Sequence, residues 1–201
     1  AVREVLTGFK YIGEQIRLLE ERKDGNYIFG MEESYGCLIG TYARDKDACV
    51  AVMMLCEAVA FYKLQKRTLW DVMRELYERY GYYKEALYTL TLKGADGAQK
   101  IRDKMEAMRT NMPSDIGGNK VLAVRDYQTG IRIDIIAGEA EEMELPVSNV
   151  LYYELEDNGW CCVRPSGTEP KIKFYYGVKG RTEEEAEDKM RELRNVIEQR
   201  V

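Results

Sequence analysis

After Gly81 the sequence changes character, and that change limits its fold more than any other feature. Downstream lie β-prone runs around residues 120–127, 131–136, 150–155, 159–163 and 171–178. The strand-like "EALYTLTLKG" and the helical "GADGAQKIRDKMEAMRTN" precede them, and the amphipathic "TEEEAEDKMRELRNVIEQR" closes the chain. Strands that follow one another directly, with helices at the ends, imply an α+β domain with a sheet covered by helices on one face. The acidic "GEAEEMELP" between two of the runs reads as a solvated loop.

Upstream of Gly81 the pattern alternates. Ile12, Ile16 and Leu19 recur at helical spacing until Asp24-Gly25 stops the run. "NYIFGM" is β-prone and "EESYG" a polar loop. Asp45 and Asp47 stand where a helix start favours carboxylates, ahead of "ACVAVMMLCEAVAFYKLQ", whose Met and Cys residues read as core. "TLWDVMRELYERYG" is a second helix, capped by Thr68 and stopped by Gly81. This is an α/β unit, and the expected division is residues 1–82 and 83–201.

Composition narrows the function classes. Net charge is −5, so nothing global favours nucleic acid or an anionic membrane, and any anion site must be local. The sequence has no histidine, which removes imidazole-based triads and metal sites. Five cysteines without C-x-x-C spacing read as free thiols in a reducing, cytoplasmic setting, with Cys161 and Cys162 on opposite faces of a strand. No apolar run has membrane-spanning length.

The densest set of donors is "RPSGTEP", between "WCCV" and "KIKFYYGV". Arg164 offers a planar fork suited to phosphate oxygens, Ser166 and Thr168 add hydroxyls, and Gly167 permits an anion-binding nest of backbone N–H groups. "PSG" alone reads first as an ordinary β-turn, and it is the Arg in front and the Thr behind, joined to two strands, that bring the anion site level with it. In "GMEESYG" carboxylates and a hydroxyl follow a strand, a pattern that grips sugar hydroxyls or simply makes a solvated acidic loop. "RDKD", Arg44 to Asp47, reads locally as helix capping, and "TGFK" as a turn into a helix.

In this order, "TGFKYIG", "FGMEESYG", "RDKD" and "RPSGTEPKIKFY" resemble the α-D-phosphohexomutase family, closest to its bacterial phosphoglucomutase branch. The resemblance covers the second half of a four-domain enzyme. It implies that Glu32 and Ser34 hold adjacent hexose hydroxyls, with Lys46, Thr7 and Gly8 as further substrate contacts. It implies that Arg164, Ser166, Gly167 and Thr168 hold the phosphate, with Lys173 where some members carry arginine. The family's phosphoserine loop and its Mg²⁺-binding loop have no counterpart, so catalytic residues, the metal and the N-terminal domains would belong to a longer parent enzyme. That enzyme would interconvert glucose 1-phosphate and glucose 6-phosphate through a bisphosphate, with hexose phosphates, the hexose bisphosphate and the enzyme's own N-terminal domains as the partners expected and neither nucleic acid nor membrane. The chain alone would bind sugar phosphates weakly without catalysis. The competing readings are a stand-alone sugar-phosphate-binding module and a partner-binding role for the amphipathic terminal helix.

Overall fold

The computed structural model describes residues 1–32, 36–92, 96–167 and 169–200. The chain folds as two compact units, Ala1–Glu75 and Leu76–Val201.

The first unit begins with α1 (Phe9–Arg22), whose face of Phe9, Ile12 and Ile16 packs with Leu38 into a small core. The helix stops at Lys23, which takes the left-handed conformation and donates its N–H to the Leu19 carbonyl at 2.9 Å. Strands β1 (Phe29–Glu32) and β2 (Gly36–Ile39) pair antiparallel. Strand β2 has no forerunner in the sequence pattern; a run of three apolar residues is too short to show a period.

Helix α2 (Ala48–Leu64) is capped by Asp47, as its sequence predicts, through Oδ1 accepting from the N–H groups of Cys49 at 2.7 Å and Val50 at 3.2 Å. Helix α3 (Leu69–Tyr80) starts with a reciprocal cap: the Thr68 hydroxyl accepts from the Asp71 N–H, and the Asp71 carboxylate accepts from the Thr68 N–H. The expectation that the Met and Cys residues of α2 lie in a core is overturned. No residue of α2 is buried; Cys49 and Cys56 are exposed, and Met53 is 69% exposed. Apolar composition all round a helix signals burial only where a partner layer exists, and among the described residues of this unit only the short β1–β2 hairpin is available as a sheet.

In the second unit eight strands among the described residues form one antiparallel sheet. They are β3 (Tyr82–Thr91), β4 (Asp115–Ile116), β5 (Asn119–Asp126), β6 (Ile131–Asp134), β7 (Glu139–Glu142), β8 (Leu151–Leu155), β9 (Trp160–Pro165) and β10 (Lys171–Gly180). Their order is β3-β10-β9-β8-β5-β6-β7, with β4 paired to β5. Helices α4 (Gly97–Thr110) and α5 (Glu183–Arg200) supply Ile101, Met105, Met190, Leu193 and Ile197 to a core shared with one sheet face. The α+β expectation is borne out. Cys161 and Cys162 fall on opposite faces, one buried and one half-buried, because successive strand residues alternate.

Strand β7 corrects the reading of the acidic segment as a loop. Glu139, Ala140, Glu141 and Glu142 pair with β6 as an exposed edge. Charged side chains conceal the strand period in the sequence, and the same charges deter pairing with another chain. The β4–β5 turn needs its glycines: Gly117 has φ +63°, and a Cβ there would come 2.8 Å from the Leu193 Cα of α5.

Candidate functional site

The candidate phosphate loop joins the neighbouring strands β9 and β10. In the β9–β10 register Arg164 stands directly opposite Lys173, and Pro165 opposite Ile172. The hairpin is closed by the Ser166 N–H donating to the Lys171 carbonyl at 2.8 Å. The Ser166 hydroxyl accepts from the Glu169 N–H at 3.3 Å. Lys171 forms an ion pair with Glu169 at 2.9 Å.

Arg164 and Lys173 are both half-buried, and among the described residues neither makes a hydrogen bond or ion pair through its side chain. Like charges directly opposite each other across a strand pair destabilise it. Elsewhere on this sheet Arg132 and Arg125 both bind Glu154, and Arg132 also binds Glu141. At the Arg164–Lys173 pair two cations face each other beside a hairpin loop, and an anion would relieve their repulsion.

Gly167 is exposed, and a Cβ added there would meet nothing within 4 Å. Its φ is not positive, so it does not take the left-handed turn that a nest of alternating backbone handedness uses. Its contribution is open space above the loop. Thr168 lies outside the described residues.

The candidate sugar contacts of the first unit gather around the β1–β2 hairpin. Glu32 closes β1 and pairs in register with Gly36, so the two share one face. Lys46, just before α2, reaches back and forms an ion pair with Glu32. The Glu32 side chain is only 6% exposed, that of Lys46 42%. The expected open carboxylate is thus covered by an ammonium. Ser34 lies outside the described residues.

The backbone around Lys46 is well anchored. The Asp47 N–H donates to the Cys37 carbonyl at 3.0 Å, and the Lys46 N–H to Asp45 Oδ1 at 2.8 Å. Tyr42 donates its hydroxyl to Asp47 Oδ2 at 2.6 Å. This bond holds the phenol's pKa up at about 12 and pushes the Asp47 carboxyl below its usual range, with the Val50 and Cys49 N–H groups adding to the latter. The sequence marks Asp47 as a cap but gives no sign of Tyr42, which no local pattern singles out. Arg44 turns away to Glu20 at 2.6 Å. Thr7 and Gly8 precede α1, where Gly8 is the N-cap residue at φ +125° and its carbonyl accepts from the Tyr11 N–H.

Two domain models of one family cover most of the chain. "Phosphoglucomutase/phosphomannomutase, alpha/beta/alpha domain III" matches residues 1–80, and "Phosphoglucomutase/phosphomannomutase, C-terminal domain" matches residues 99–196. The chain belongs to the phosphoglucomutase/phosphomannomutase family. A phosphoglucomutase of Staphylococcus aureus (strain MRSA252) is 40% identical over 177 residues, 88% of this chain and 32% of that protein. The phosphoglucomutase of Staphylococcus epidermidis (strain RP62A) is 39% identical over 176 residues, again 88% and 32%. The chain thus spans about a third of the length of the curated relatives it matches. Its fold is also that of the exocytosis-sensitive phosphoprotein parafusin, a phosphoglucomutase from Paramecium in an open form. That structure has a TM-score of 0.60 and 19% identity, over 96% of this chain and 31% of the other.

Among the described residues no three Asp, Glu or Cys side chains stand close enough together to hold a metal ion. Nor is any single helix there long and apolar enough to cross a membrane.

Proposed function

We propose that this chain is the substrate-recognising C-terminal part of a phosphohexomutase that interconverts glucose 1-phosphate and glucose 6-phosphate. In this reading a phosphoserine on domains outside the chain donates the phosphoryl group, and a hexose bisphosphate forms and turns around before returning one phosphate. This chain positions and does not transfer. The observation that carries the reading is the Arg164–Lys173 pair, two facing cations without a carboxylate partner among the described residues, in a member of this family. Arg164 offers two parallel donors to phosphate oxygens, and Lys173 adds a point charge. Glu32 and Lys46, with Thr7 and Gly8, would serve the sugar, and Ser166 and Gly167 would line the phosphate. Ser34 and Thr168 complete the proposed set.

Hydrogen-bonded grips suit a ligand that must be released and regripped in the opposite sense, because each contact forms and breaks without covalent change. Arg164→Ala is expected to weaken glucose 6-phosphate binding by about 1.5–3 kcal/mol, the worth of a charge-assisted hydrogen bond. Isothermal titration of the variant against the unaltered chain measures this, and equal affinities would remove the phosphate assignment. A stand-alone sugar-phosphate-binding module is the second reading, favoured by the same cation pair. Mutase turnover with glucose 1-phosphate, assayed with and without the remaining domains of a relative, separates the two.

A further inference from the structure

The second unit has a recess on the helix side of its sheet. Its floor is two cross-strand pairs, Tyr153 opposite Cys161 on β8 and β9, and Val163 opposite Phe174 on β9 and β10. All four are 2% exposed, so the deep end of the recess hardly meets water. Met108 of α4 and Val196 and Ile197 of α5 form its walls. Polar groups stand at the mouth instead, where Asn111 and Asp115 are exposed. One polar group lies at depth. The Tyr153 hydroxyl donates to the Met108 carbonyl at 3.4 Å, long for an O–H donor, whose bonds to oxygen centre near about 2.8 Å. Burial pushes this phenol's pKa up, so it keeps its proton and remains a donor. Burial likewise pushes the Cys161 thiol up, which leaves the floor without charge.

We propose that this recess binds a small uncharged aromatic molecule of two rings, with one hydrogen-bond acceptor that takes the Tyr153 hydroxyl. The volume sets the size. It is about 360 Å³, whereas an apolar cavity of about 150 Å³ holds one benzene. A helix of a protein partner, roughly 10 Å across, is too bulky to enter. The floor sets the chemistry. An ordered water needs about two to four polar partners, and these side chains offer one hydroxyl and a weak thiol donor. A charged ligand would lose its hydration against Val163 and Phe174 with no counter-ion beside it. An aromatic ring loses nothing there, and its acceptor can approach the Tyr153 hydroxyl more closely than the Met108 carbonyl does. The place sets the relation to the phosphate loop. Val163 and Phe174 adjoin Arg164 and Lys173 in sequence and face the other way, since successive strand residues alternate. The recess therefore lies behind the cation pair, and its ligand is distinct from the sugar phosphate proposed above.

Quinoline and naphthalene test the site, since near neutral pH they are uncharged probes of one shape that differ in a single ring acceptor. In methyl NMR of the full chain, both should shift Met108, Val163 and Ile197 at lower concentration than Val52 or Leu55 of the exposed α2 surface. Tyr153→Phe removes the donor and keeps the ring. In that variant the preference for quinoline relative to naphthalene should fall about fivefold, the worth of one neutral hydrogen bond. Ala107 lies exposed on α4 at the edge of the recess, so Ala107→Trp should exclude both probes, with amide shifts reporting that the helix persists. This second variant decides the matter even where Tyr153→Phe disturbs the fold. Saturating glucose 6-phosphate should displace neither probe. Probes that leave the Met108, Val163 and Ile197 methyls unmoved overturn the proposal, as does binding that survives Ala107→Trp. An unchanged quinoline preference in a folded Tyr153→Phe chain overturns it too. Displacement by glucose 6-phosphate would do the same, by putting the probes in the sugar-phosphate site.

Discussion

The two units of this chain solve the problem of apolar surface in opposite ways. The second encloses it: Val121, Leu151, Ile172 and Leu193 are wholly buried between one sheet face and two helices. The first leaves it bare. Among the described residues its core cluster is Phe9, Ile12, Ile16 and Leu38, while α2 and α3 expose Leu55, Phe61, Leu64 and Trp70 by 57%, 58%, 87% and 66%. Sequence hydrophobicity is therefore a poor guide to burial unless the partner layer is also accounted for. The largest consequence is for autonomy. Residues 76–201 expressed alone should unfold in one cooperative transition, whereas residues 1–75 alone should show helical signal without a sharp one. Circular dichroism melts of both pieces decide this, and a cooperative melt of the first piece would break the comparison.

Single substitutions should sort in the same way. Leu193→Ala removes a fully buried side chain from α5 and is expected to cost about 3 kcal/mol, within the usual range for such cavities. Leu55→Ala, on the exposed face of α2, should change stability by less than about 0.5 kcal/mol. Urea denaturation measures both. Similar losses from the two would mean that α2 is covered in solution.

The other contrast lies between exposed surfaces. The sheet face of the second unit opposite its helices is dressed for water: Arg132 and Arg125 share Glu154, Arg125 lies over the Tyr152 ring, and Tyr152 stacks on Trp160 at 5.8 Å. Hydrogen bonds from Arg132, reinforced by Arg125, hold the Glu154 carboxyl down at about 2. Because its folded-state pKa is depressed, this carboxylate stabilises the unit fully above its ordinary pKa near 4.5 and loses that contribution as pH falls towards 2. Glu154→Gln should cost about 2 kcal/mol at pH 7, for a partly buried charge-assisted network, and should flatten the acid side of the stability curve. A variant whose stability keeps the unaltered chain's slope between pH 4.5 and pH 2 would assign that slope to other carboxylates.

How much of this was legible in the sequence depends on the length of the pattern carrying it. Helix α1 follows from Ile12 and Ile16, and β5, β8, β9 and β10 from runs long enough to alternate. Strand β2 has only Cys37 to Ile39 to show, and β7 hides behind its glutamates. The site divides similarly. The phosphate loop is contiguous, so Arg164 and Ser166 could be named from one segment, and the sheet register then brought Lys173 to Arg164. The Lys46–Glu32 contact joins residues fourteen apart, through the missing side chain of Gly36. No local pattern encodes such a crossing. It needs the hairpin register and the helix cap together.

The smallest expected effect on stability is also the sharpest test of what α2 is. Replacing Met53 and Leu55 by lysine adds two charges to a surface already exposed by 69% and 57%. Both side chains lie on a helix whose cap and backbone bonds do not involve them, so stability should stay within about 0.5 kcal/mol of the starting value. What should change is association. Exposed apolar side chains of this kind promote contact between copies at high concentration, and like charges in their place oppose that contact. Sedimentation velocity over a concentration series should therefore show the unaltered chain drifting to larger species and the lysine variant remaining monomeric. A variant that loses stability instead would place these two residues in a buried layer, and the contrast between the enclosed and the bare unit would fail at its most exposed helix.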